Sequence, residues 1–206
     1  MSTTHKSAVG AATRIAAGDE GATYDGVSVA LHWITVALVL IQFGFSKTWH
    51  LFARPMRREM IMLHMEFGIL LGLSVMARIV WRLSPGRQRP PAHSGWVEPA
   101  SKAVYYLLYA LILSEFVLGF VLRWSGGEAM IFFGLPIPPI GVPYVSRATN
   151  DSIGVIHSLV GWVIIILGAG HALAGVYHQF VVKDGVLARM IPALRTHREG
   201  AEGRKL

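Results

Sequence analysis

Polar residues divide the chain into four long apolar runs. They cover residues 28–46 (SVALHWITVALVLIQFGFS), 59–82 (EMIMLHMEFGILLGLSVMARIVWR), 101–122 (SKAVYYLLYALILSEFVLGFVL) and 151–181 (DSIGVIHSLVGWVIIILGAGHALAGVYHQFV). Each is long enough to cross roughly 30 Å of hydrocarbon, the first near the short limit. In lipid such runs must be helical, because backbone groups there need internal partners. The pattern predicts an all-α integral membrane four-helix bundle. The 83–100 connection is rich in Pro and Gly and reads as a loop. The 123–150 connection holds MIFFGLPIPPIG, too short and too proline-rich to span, and is expected to fold back over the bundle end. The first 27 residues are polar and lack the apolar core and cleavage pattern of a signal peptide. The expected organisation is a disordered tail at 1–24, one membrane domain at 25–192 and a basic tail at 193–206.

The last run carries a second pattern. Gly154, Gly161, Gly168 and Gly175 recur every seven residues, with His157 and His171 interleaved fourteen apart. Each of these histidines has a glycine three residues before it and another four after it. Those offsets are nearest neighbours on one helix face. A ring bordered by residues without side chains can face something flat and wide. Fourteen residues at about 1.5 Å rise separate the two rings by about 21 Å along that face.

Charge sets the orientation. Four spans put both termini on one side, which holds Lys6, Arg14, Arg78, Arg82, Arg87, Arg89, Lys102, Lys183, Arg189, Arg195, Arg198, Arg204 and Lys205; the other side holds Lys47, Arg54, Arg57, Arg58, Arg123 and Arg147. The excess predicts cytoplasmic termini. It also accounts for the net charge of +7 without a nucleic-acid partner. On that orientation His64 and His157 fall near the outer end of their spans, and His32 and His171 nearer the cytoplasmic end. Each matched pair can offer axial nitrogens to opposite faces of one haem iron, between facing helices. Gly68, four residues after His64, repeats the glycine pattern, whereas His32 has Ser28 four residues before it.

Composition narrows the cofactor. Of 206 residues, 53% are hydrophobic, 15% are charged and none is cysteine, with a mean hydropathy of +0.48. The missing cysteine excludes disulfides, thiolate metal sites, iron–sulfur clusters and covalent haem attachment. Any haem is therefore b-type. Other readings stay open. Small residues every seven positions also permit close helix packing in lipid, and a single intramembrane histidine can be a hydrogen-bonded polar group. Metal transport is weaker, because about 21 Å is too far for a shared centre. His5, His50, His93 and His197 lie in tails or loops and carry no assigned role. Glu66 and Glu115 are each either a neutral, hydrogen-bonded acid or part of a proton relay.

With these residues in place, the chain resembles the bacterial cytochrome b561 family of small di-haem, quinone-linked membrane cytochromes. The matching pieces are His32-Trp33, His64, the Arg78-to-Arg82 end of the second run, FGLPIP, His157 with His171, and HQFVVKDGVLARMIP from His178 to Pro192. The likeness runs from about residue 25 to 192 and is nearest the superoxide oxidase branch. It implies two b-type haems on His32, His64, His157 and His171, in a bacterial inner membrane. It further implies that periplasmic superoxide is oxidised to dioxygen and that electrons pass through the haems to ubiquinone. Superoxide is a small anion and is drawn by positive potential, which makes Arg57, Arg58, Arg123 and Arg147, with Lys47 and Arg54, candidates for steering it. His178, seven residues beyond His171, is a candidate quinone contact, with Tyr177, Lys183 and Asp184 as proton relays. The alternative is a quinone-linked electron-transfer subunit serving a partner dehydrogenase or periplasmic carrier.

Overall fold

The computed structural model describes residues 25–84, 97–185 and 187–191. The two terminal tails and His5, His93 and His197 lie outside them. Helix α1 runs Gly26–Thr48 and ends in a 3-10 turn at Trp49–Leu51; α2 runs Arg54–Leu83; α3 runs Val97–Ser125. Two short strands, β1 (Met130–Phe132) and β2 (Leu135–Ile137), precede α4 (Arg147–Tyr177). A π-turn at His178–Val182 prolongs α4, and a 3-10 turn follows at Leu187–Arg189. All four helices are long and apolar enough to cross a membrane, as the pattern predicts.

The helices outrun the apolar runs at most ends. Helix α2 begins at Arg54, where the hydropathy pattern starts at 59, and α3 reaches Ser125 beyond 122. Its thirty residues make α2 about 45 Å long, the bilayer thickness with its headgroups included. Hydropathy marks only the hydrocarbon part, while the hydrogen-bonded helix continues through its charged flanks.

Two compact units are distinguished and each stands by itself here: one formed by the described parts of 1–29 and 175–206, the other by Ala30–Ala174. In the larger unit, Leu38, Leu71, Val75, Tyr109, Ile112 and Ile164 form the core. Among the described residues, the α2–α3 seam is where two spanning helices come into sustained close approach. A Cβ added to Gly72 of α2 would lie 2.3 Å from Phe116 of α3, so the ring sits where any other residue would have a side chain. Elsewhere the helices turn large apolar residues outward, among them Leu40, Val80, Leu159, Ile166 and Leu173. Such a surface suits lipid, where apolar exposure carries no penalty.

The connection between α3 and α4 does fold back, and it does so as a hairpin. Strands β1 and β2 pair antiparallel with Phe132 opposite Leu135. Phe133 and Gly134, both with positive φ (47° and 79°), form the two-residue turn, whose twist matches that of paired strands. Strand β1 packs on α2 and α3, and the Trp124 indole donates to the Ile137 carbonyl at 3.2 Å. Asn150 of α4 closes the same end by donating to the Leu122 carbonyl (2.8 Å) and to Ser125 Oγ (2.9 Å). Both acceptors lie in the last turn of α3.

Candidate functional site

Helices α1, α2 and α4 carry the histidines, and the fold brings them together in pairs. His64 of α2 and His157 of α4 face each other with ring centroids 6.2 Å apart and planes nearly perpendicular, at 86°. Nδ1 of each ring is buried without a hydrogen-bond partner. Two imidazoles at this separation have room for one metal ion about 2 Å from a nitrogen of each. His32 of α1 and His171 of α4 form the second pair, close enough to interact electrostatically. Among the described residues no three His, Asp or Glu side chains converge as a metal cluster.

Neighbours hold the first pair. The Gln42 amide donates to the His64 carbonyl at 2.8 Å, and Trp49 meets the His64 ring edge-on at 5.3 Å. Glu115 of α3 brings Oε1 to 3.3 Å from Nδ1 of His157. The approach is off the hydrogen-bond axis, so the nitrogen still counts as unsatisfied, as does the buried Oε2. The second pair has a different neighbour. Arg78 of α2 lies in the neighbourhood of His32 and His171, with its guanidinium 5.3 Å from the Tyr109 ring centroid. Arg82 lies likewise over Tyr105 at 4.5 Å.

The glycines of α4 are not a helix-packing seam. A Cβ at Gly154 would meet only the Leu122 side chain at 3.7 Å, one at Gly161 would meet Glu115 Oε1 at 3.3 Å, and one at Gly168 would meet nothing within 4 Å. None touches a neighbouring backbone, as close helix packing through small residues requires. The stripe leaves room in front of the histidine face.

The candidate steering cations separate into groups. Arg54, Arg57, Arg58 and Arg123 line one cavity of about 410 Å³ with Ile61, Met62, Met65, Ile131 and a single acid, Glu128. Three of these arginines open α2, whose first turn holds no acid. Cations at the positive end of a helix dipole oppose helix stability, and the same arrangement strengthens attraction for an anion. Arg58 stands six residues, about 9 Å along the axis, before His64. Arg123 is partly engaged, pairing with Glu128 and donating to the Ala129 carbonyl at 3.1 Å, and Arg57 donates to the His50 carbonyl at 3.2 Å. Two expected members fall elsewhere. Lys47 lies over the Phe43 and Trp162 rings at 5.2 and 5.0 Å, and Arg147, the first residue of α4, does not line the cavity.

In the smaller unit, His178 opens the π-turn and its Nδ1 lies 2.5 Å from Asp184 Oδ2. The bend is held by Lys183, in a left-handed conformation (φ 61°), whose N–H donates to the His178 carbonyl at 2.7 Å. Gln179 is buried beside it with Oε1 unsatisfied.

Spacing alone did not select Arg78 or Gln42 for the site. Arg78 had a readable signal: it stands fourteen residues after His64, the interval that separates His157 from His171. Gln42 had none.

Four apolar helices with facing histidine pairs define a class, the helical membrane proteins that carry electrons through groups held between their helices. Within it, the chain belongs to the prokaryotic cytochrome b561 family, whose model matches residues 23–193. Relatives are distant but nearly full length. "Cytochrome b561 homolog 2" of Escherichia coli (strain K12) is 26% identical over 178 residues, covering 82% of this chain and 90% of its own. "Probable superoxide oxidase CybB" of Yersinia pestis is 26% identical over 173 residues, covering 84% and 97%. "Cytochrome b562" of Cereibacter sphaeroides is 25% identical over 174 residues, covering 82% and 94%. The chain is thus a multi-pass membrane electron-transfer protein of oxidoreductase type, in a family that implies b-type haem.

Proposed function

We propose that this protein is a superoxide:ubiquinone oxidoreductase of the bacterial inner membrane, with both termini in the cytoplasm. Two b-type haems, one on His64 and His157 and one on His32 and His171, supply a one-electron relay when bound. The observation that carries the reading is a four-arginine cavity about 9 Å along α2 from a histidine pair with room for one metal ion. The distant likeness to a probable superoxide oxidase agrees with it.

The overall reaction balances simply. Two superoxide anions each give up one electron and leave as dioxygen, and ubiquinone takes two electrons and two protons to become ubiquinol. Arg54, Arg57, Arg58 and Arg123 raise the local concentration of the anion by their field. No general base is needed there, because superoxide carries no proton to remove. Quinone reduction does need protons. Asp184 accepts from His178 Nδ1 and orients the ring; the protonated imidazolium also carries an Nε2–H, which donates to a quinone oxygen. Lys183 and Asp184 then return protons from the aqueous side.

The test mixes purified, haem-loaded protein with superoxide and oxidised ubiquinone and follows haem reduction optically. Reduction faster than spontaneous dismutation, with ubiquinol formed, is the expected result. Reduction by a quinol or a partner protein but not by superoxide would replace this reading with that of an electron-transfer subunit.

A further inference from the structure

Helix α3 has no histidine, yet it contributes an acidic side chain to the first histidine pair. Glu115 lies mid-span with Oε1 3.3 Å from His157 Nδ1, and a Cβ on Gly161, four residues after His157, would meet that same oxygen at 3.3 Å. Its other oxygen, Oε2, is buried without a partner. One turn along the same face of α3, Gly119 leaves the His157 ring room, since a Cβ there would lie 3.7 Å from Cε1. An acid is costly in the apolar part of a span and is kept there by a specific partner. His157 Nδ1 lies within ion-pair reach of Glu115.

We infer that Glu115 is a positioning residue: it accepts the Nδ1 proton of His157, fixes the tautomer and ring orientation, and leaves Nε2 for the iron. The inference rests on His157 being a haem ligand, as proposed above. Ligating histidines commonly donate their second nitrogen to a carboxylate, which raises the basicity of the ligand. A more basic ligand favours the oxidised metal, so the carboxylate lowers the reduction potential of the haem on this pair. Lowering this midpoint favours onward transfer of the electron toward the His32–His171 pair.

The experiment is an optical redox titration of haem-loaded protein, paired with ferric EPR. E115L should shift one of the two midpoints so that reduction of that haem is favoured about tenfold, about 59 mV for one electron, and should alter one low-spin ferric signal. The other haem should not move. E115Q, which keeps an acceptor oxygen without the charge, should fall between E115L and the native protein, and E115D should move the midpoint least. H157A reads the ligand assignment separately, by losing one haem. Retention of both haems in H157A would sink the ligand reading. Loss of one haem in H157A with unmoved midpoints in E115L and E115Q would overturn the role of Glu115 alone. Equal shifts of both midpoints would also overturn it, as the mark of a general loosening. Should E115L fail to fold, the near-isosteric E115Q carries the same measurement.

Discussion

The two histidine pairs are built from similar parts and have unlike side chains for neighbours. His64 and His157 sit beside a carboxylate, Glu115, while His32 and His171 sit beside a guanidinium, Arg78. The chain reaches this contrast economically. Helix α2 supplies a histidine to one level and, fourteen residues later, an arginine to the other; α4 supplies a histidine to both. With a haem on each pair, as proposed, like ligands beside unlike side chains would give two centres of different potential, and a potential difference gives an electron a direction. The contrast extends outward, since the arginine-lined cavity belongs to the end that holds His64.

The sharpest way to break the comparison is to remove one pair at a time. His64→Ala and His171→Ala should each halve the haem content and should remove different haems, so that the surviving midpoints differ. The check is a reduced-minus-oxidised spectrum with haem stoichiometry. Loss of both haems from either variant would mean that the pairs are not independent.

Next in size is a contrast between two glycines. Gly72→Ala forces a methyl group into the Phe116 ring on the α2–α3 seam, and overpacking of this kind costs about 1–3 kcal/mol. It should lower the unfolding temperature with haem content unchanged. Gly168→Leu meets open space and should do the reverse, leaving the apoprotein stable and lowering haem occupancy. Thermal unfolding in detergent, set against haem content, separates the two.

Arg78→Gln should lower one midpoint, in the opposite sense to E115L. A tenfold change in the equilibrium is again about 59 mV. The combined variant should narrow the gap between the haems from both sides, which a redox titration reads directly. The smallest effect is expected at the cavity. Neutralising Arg57 and Arg58 together should slow haem reduction by superoxide and flatten its dependence on ionic strength, because steering is a screened, long-range effect. Stopped-flow rates over a range of salt measure it.

The four spans were legible because lipid permits little else: a run of some twenty apolar residues must become a helix. The pairing of histidines by depth was legible too, because a fixed rise converts sequence position into height in the membrane. Less visible was the hairpin at Met130–Ile137, where MIFFGLPIP announced only a returning loop. Its strands depend on a seat against α2 and α3 rather than on any local pattern, and a Phe at the first turn position is a poor advertisement for positive φ. The glycines show the same division. Their spacing was plain, but small residues serve close packing or open space equally well. The structure puts the close packing at Gly72, outside the stripe, and the space at Gly168.

Sequence alone determined the membrane class, the helix number, the non-covalent character of any haem and the candidate ligands, because each follows from composition or from distance along one helix. Tertiary structure decided which charge stands beside which pair. Glu115 is far from His157 in the chain and meets it only across a helix interface. Rise per residue sets how deep a group lies, but the rotation of one helix against another sets what it faces, and that rotation is a property of packing.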